Sequence, residues 1–258
     1  MSRVMVIPDS RLDIEKIERG IRLAKKYNAD KIILLGNYFD PLEGKSNLQD
    51  YEDMWDYLRF LIRKDTRVVP LLGERELSYM GFPEKLPGAN KEFSKEIGAR
   101  LAVNYKFMPC VAVDGVLYSS AGVTTTWLRR YRIMLENELR FRLGKDGGAG
   151  LIEAAILKLR DWDPFYDDTR EDGSCMRADF TSLLTYAPSN IRQVVGTTMV
   201  AEPFNSGRIW FAWSEDENKY LYVNNGEPQV VSAEDDDSQL FVKGETKWKT
   251  KEKKLKAR

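Results

Sequence analysis

The sequence predicts an α/β fold, and three observations carry that expectation. Short apolar runs of strand length alternate with longer stretches of helical period. The early runs stop at Pro, Gly or Asn, residues that end strands. A chain of 258 residues, 43% hydrophobic and 31% charged, is long enough for one large domain with a substantial core. Apolar strands joined by helices imply a parallel sheet covered on both faces.

Val4-Met5-Val6-Ile7 is a buried strand ending in Pro8-Asp9-Ser10. Asp13 is placed to cap a helix that carries Ile14, Ile17, Ile21 and Ala24 on one face. Lys31 to Leu35 is a second strand, closed by Gly36-Asn37, and Tyr51, Trp55, Leu58 and Ile62 mark the next helix. Arg67 to Leu72 is a third strand, closed by Gly73, with another helix near Asn90 to Leu101. Shorter strands follow at Cys110 to Val113 and Val116 to Ser119, then a helical block over about Thr124 to Leu159. Strands return at Arg192 to Gly196, Arg208 to Trp213 and Lys219 to Val223, and the last two suggest a hairpin. In strand alternation Trp210 and Phe211 face opposite ways, so one of them is a candidate anchor for a partner. The organisation expected is one domain over residues 1–230, with a helical insert at about 124–185, and a tail at 231–258.

Composition narrows the chemistry. Forty basic and forty acidic residues cancel, so no global field recruits nucleic acid or a membrane. Cys110 and Cys175 have neither metal-ligand spacing nor a disulfide framework, which points to a reducing interior. The first residues do not make a signal peptide, and no apolar run approaches the roughly 18 residues of a membrane span. A cytoplasmic location, or the inside of a viral particle or infected cell, is therefore expected. The chain has no histidine, which excludes Ser-His-Asp triads, Cys-His pairs and imidazole metal ligands.

Chemistry in an α/β sheet gathers where strands end. The strand ends here are Pro8-Asp9-Ser10-Arg11, Gly36-Asn37-Tyr38-Phe39-Asp40, Gly73-Glu74-Arg75-Glu76, Ser119-Ser120-Ala121-Gly122 and Gly196-Thr197-Thr198. In order and spacing they resemble the motifs of the calcineurin-like metallophosphoesterases, especially the bacteriophage-type protein phosphatases. That family runs Asp-x-His, Gly-Asp-x-x-Asp-Arg, Gly-Asn-His-Asp/Glu, His-Ala-Gly and Gly-His-Thr. The resemblance covers about residues 1 to 230 and implies two facing mixed β-sheets flanked by helices, an αββα sandwich. It also implies a centre of two metal ions about 3.5–4 Å apart that activates water against a phosphate ester.

Position by position, the resemblance breaks at the ligands. Asp9 keeps the first one, but Arg11 stands at a histidine position and Asn37 at the bridging aspartate. Glu74 replaces the asparagine, Arg75 the catalytic histidine, and Ser120 and Thr197 the remaining histidines. Asp40 and Glu76 match supporting acids, while Pro41 replaces the arginine after Asp40. Arg11 and Arg75 bring permanent charge to a place shaped for dications. The guanidiniums are therefore expected to fill the metal space and pair with Asp9 and Glu74.

No catalytic residue and no cofactor are expected. The site then reads as an ion-pair network left after catalysis was lost, or as a phosphate pocket built on Arg11 and Arg75. A further alternative is an atypical phosphoesterase holding Mg²⁺ or Mn²⁺ on Asp9, Asn37, Asp40 and Glu74. The first function expected is binding, as a subunit or scaffold with protein partners. The tail offers another, because residues 243–258 carry eight basic residues around Trp248. Lys247, Lys249, Lys251, Lys253 and Lys254 would contact phosphates while Trp248 stacks on a base. The plainer reading is a solvated tail, with the acidic run at 234–237 able to neutralise it.

Overall fold

The computed structural model describes residues 2–41, 46–80, 91–104, 106–131, 148–159, 165 and 173–234. The chain alternates at first: β1 (Arg3–Ile7), α1 (Ile14–Lys26), β2 (Lys31–Leu34), α2 (Leu48–Lys64), β3 (Val68–Pro70). Two helices follow, α3 (Glu74–Tyr79) and α4 (Lys91–Val103), then β4 (Cys110–Val113) and β5 (Val116–Ser119). Next are α5 (Thr125–Arg130), α6 (Ala149–Ile156) and α7 (Phe180–Tyr186). The last elements are β6 (Arg192–Val200), β7 (Phe204–Ser206), β8 (Ile209–Ser214), β9 (Lys219–Asn224) and β10 (Glu227–Ser232).

These strands form two mixed five-stranded sheets, ordered β10-β9-β1-β2-β3 and β4-β5-β6-β8-β7. In the first, β1, β2 and β3 are parallel and β9 and β10 run against their neighbours. In the second, β5, β6 and β8 are parallel, with β4 and β7 antiparallel at the edges. The fold is thus the αββα sandwich that the motif order implies.

Strand alternation explains the layering. Val4, Val6, Ile33 and Leu35 of the first sheet meet Tyr118, Val194 and Ala212 of the second in one inter-sheet core. The opposite residues, Met5, Ile7, Ile32 and Leu34, pack outward with Ile17 and Leu23 of α1 and Leu58 and Leu61 of α2. On the second sheet, Cys110 and Leu117 belong to the layer with Trp127 of α5 and Ile152 and Ile156 of α6. The described part of 124–185 therefore includes the helical cover of that sheet.

The expected hairpin of Arg208 to Trp213 with Lys219 to Val223 does not form. β8 lies in the second sheet and β9 in the first, so the link between them crosses the sandwich. Both strands are apolar on both faces, as their burial shows, and such strands say nothing about which neighbour they choose. β9 instead pairs with β1 and with β10, which runs past residue 230 to Ser232. Phe211 is no exposed anchor, being buried against Phe180 and Phe204, whereas Trp210 is half-buried, packed on the inter-sheet core and partly exposed.

Candidate functional site

Because β1, β2, β3 and β5, β6, β8 are parallel sets, their C-terminal ends share one rim of the sandwich. Contacts across that rim join the motifs. A Cβ at Gly73 would lie 2.5 Å from Asn37 Oδ1, and one at Gly36 would lie 2.6 Å from the Gly73 nitrogen. Gly196 packs against Leu35, and its N–H and that of Thr197 both donate to the Ser120 carbonyl, at 2.8 and 3.0 Å. Between Val195 and Met199 the pairing of β6 with β8 shifts, so Gly196-Thr197-Thr198 sits in an irregular stretch.

The β1 loop is built around Arg11. Arg11 and Leu12 both take left-handed backbone angles, φ 41° and 65°, which side-chain-bearing residues rarely adopt. Their N–H groups are held by the carbonyls of Asn37 (3.0 Å) and Tyr38 (2.7 Å). Arg11 Nε then donates to both oxygens of buried Asp9 at 2.8 Å, and its guanidinium carbon lies 5.4 Å from the Trp213 ring centre. Nη1 and Nη2 of Arg11 donate to no acceptor among the described residues, and the side chain keeps 16% exposure. Behind the loop, buried Lys16 donates from Nζ to the Asp9 carbonyl at 2.7 Å and lies 5.8 Å from the same indole. Burial pushes the Lys16 ammonium down, opposed by Asp9. Burial also pushes the Asp9 carboxyl up to about 7, against the pull of Arg11 and Lys16.

The second centre is Glu76, fully buried. Its Oε2 accepts from Asn37 N–H (2.7 Å) and Gly73 N–H (2.8 Å), and its Oε1 from Tyr38 N–H (2.8 Å). Burial raises its carboxyl even so. Asp40 accepts from Tyr51 (2.9 Å), from Tyr79 and from Arg75 Nη1 (3.3 Å). Asn37 Oδ1 accepts from Arg75 N–H at 3.0 Å.

The expected pairing is half right. Arg11 does pair with Asp9, but Arg75 pairs with Asp40, and Glu74 pairs with Arg177 at 3.2 Å. Helical phase supplies the reason. Glu74 and Arg75 open α3 and point about 100° apart, so the two side chains do not face each other and each takes a partner from elsewhere. Lys16 and Arg177 had no motif to reveal them. They reach the rim from a helix face and from the residues before α7, which only the tertiary fold brings near.

The rim residues do not fit a two-metal centre. Asp9 is engaged by a guanidinium through both oxygens, Asn37 Oδ1 by a backbone N–H, and Glu74 by Arg177. Ser120 and Thr197 offer neutral hydroxyls where the resemblance requires imidazoles. Among the described residues no three His, Cys, Asp or Glu side chains gather as a metal-holding group. Two buried hydroxyls at the strand ends, Ser10 Oγ and Ser120 Oγ, have no partner among the described residues. The tail positions Lys247, Trp248, Lys249, Lys251, Lys253 and Lys254 lie outside the described residues.

No known family model matches the sequence, and no curated protein does. Solved structures do. One similar chain is YfcE, a phosphoesterase from E. coli, at 12% identity over 90% of this chain and 94% of that one, with a TM-score of 0.43. Another is TT1561 of Thermus thermophilus, at 13% identity over 90% and 99%, with a TM-score of 0.45.

Proposed function

We propose that this protein is a non-catalytic, phosphoesterase-like protein that acts by binding, with the strand-end rim as an anion-recognition site for a phosphate-bearing partner. The observation that carries the reading is the setting of Arg11. Its loop is fixed by two backbone hydrogen bonds, its Nε by Asp9 and its flat face by Trp213, while both terminal nitrogens keep their donors for another acceptor. A guanidinium held this way is preorganised, and its fork suits phosphate without any metal. Ser10 and Ser120 keep buried hydroxyls without a partner among the described residues at the same strand ends.

Catalysis is not part of the reading. The general acid of the resembled family has become Arg75, a guanidinium engaged with Asp40. Two dications would sit beside Arg11 and Lys16, with Asp9 as the one carboxylate kept at a metal-ligand position of the resembled family, and that repulsion opposes loading. The role that remains is a subunit or scaffold that docks phosphorylated or otherwise anionic groups in a larger assembly.

Calorimetry with inorganic phosphate and phosphoserine tests the site. Arg11→Met is expected to lower affinity at least tenfold while the fold survives, since Arg11 is only partly buried. Equal binding by wild type and variant would reject the role of Arg11. Elemental analysis after Mn²⁺ loading should find no stoichiometric metal, and an aryl-phosphate assay no turnover. Two bound equivalents with activity that vanishes in Asp9→Ala would establish the enzyme reading instead.

A further inference from the structure

A cleft of about 340 Å³ opens at the other end of the sandwich, where β5 and β6 begin and the β7–β8 and β9–β10 turns come together. It is independent of the strand-end rim. Trp210 and Pro228 give it two apolar walls, and Asn205, opposite Trp210 in the β7–β8 pairing, adds an amide. Trp210 is half-buried, its inner side packed on the inter-sheet core, so the indole is fixed in orientation.

The charges in the cleft are of two kinds. Arg192 is fixed, with Nη1 on the Gly226 carbonyl (2.8 Å) and Glu227 (3.2 Å) and Nη2 on the Asp114 carbonyl (3.2 Å). Arg208 is exposed, and its guanidinium donates to no acceptor among the described residues. Glu227 offsets one of the two, which leaves the cleft one positive charge in excess, carried by the arginine that is free to move. A fixed aromatic wall beside an unengaged guanidinium suits a flat ring that bears an anion. The volume is at the lower end of small-molecule sites, about 300 Å³ and upward, which admits one such unit.

We propose that this cleft binds a nucleoside-monophosphate-type ligand, with the heteroaromatic ring against Trp210 and the phosphate on Arg208. Calorimetry on the full chain with AMP, adenosine and inorganic phosphate tests it. AMP is expected to bind at least tenfold more tightly than either half alone. Arg208→Glu, an exposed change that spares the core, and Trp210→Ala should each weaken AMP at least tenfold, and Trp210→Phe should restore most of the loss to Trp210→Ala. Repeating the titration in Arg11→Met silences the strand-end rim, so binding that persists there belongs to the cleft. Absence of AMP binding to the wild type overturns the proposal. So does unchanged affinity in Arg208→Glu, or phosphate alone binding as tightly as AMP.

Discussion

At Asp9 a carboxylate lies buried between Arg11 and Lys16, and burial still outweighs both cations, so its carboxyl is pushed up to about 7. The folded protein therefore holds a proton that the unfolded chain, with an ordinary aspartate near pH 4, has released. This group contributes stability that is fully present below about pH 4 and is lost as pH rises through 7. A span of three units corresponds to roughly 4 kcal/mol at most. Urea unfolding of the wild type and Asp9→Asn at pH 5, 6 and 7 should show the wild type losing ground to the variant as pH rises. A constant difference across that range would reject the argument. Burial raises the Glu76 carboxyl in the same direction, but here the accepted hydrogen bonds hold the site together. Glu76→Ala strands three buried N–H groups, those of Asn37, Tyr38 and Gly73, and should cost about 3 kcal/mol or more. Chemical denaturation measures this, and a loss below about 1 kcal/mol would mean that water or a shifted loop replaces the acceptor.

Elements divide into those whose own residues announce them and those that depend on distant partners. The Asp13 cap, the apolar face of α1 and the sharp strand ends at Gly36 and Gly73 are local signals, and the helix and strands they mark are where the pattern puts them. The pairing of β9 was not legible, because a strand buried on both faces carries no mark of its neighbour. The same limit holds in the site. Arg11 and Asp9 sit two residues apart on one loop, so their pairing could be read locally. Arg75 with Asp40, Glu74 with Arg177, and Lys16 behind the Asp9 loop all need the folded rim. Gly36 tests how tightly the β2 and β3 loops are joined. It holds φ at 92°, and a Cβ there would lie 2.6 Å from the Gly73 nitrogen. Gly36→Ala combines left-handed strain of about 1–2 kcal/mol with a backbone clash that no rotamer relieves. Thermal unfolding should show a loss of roughly 2 kcal/mol or more; a near-neutral variant would mean that the two loops separate easily.

Across the whole molecule, forty acidic and forty basic residues balance, but not uniformly. Residues 243–258 hold eight basic residues against two acidic ones, so the rest of the chain carries the matching acidic excess. The two ends of this distribution make different predictions. The anion site proposed at the strand-end rim would act through fixed geometry around one guanidinium, and its affinity would change little with moderate salt because the pairings behind it are buried. A tail of lysines with one tryptophan would bind single-stranded nucleic acid by counterion release, and its affinity would fall steeply with salt. Fluorescence anisotropy with a labelled single-stranded oligonucleotide at 50 and 200 mM salt separates the two. Full-length protein should lose affinity by an order of magnitude or more between these conditions, as roughly 0.7 counterions are released per phosphate contacted. Deleting residues 243–258 should abolish that binding while leaving phosphoserine affinity at the rim unchanged. Salt-sensitive binding that survives the deletion would place the nucleic-acid contact elsewhere. Absence of binding by the full chain would reject the tail as a nucleic-acid contact.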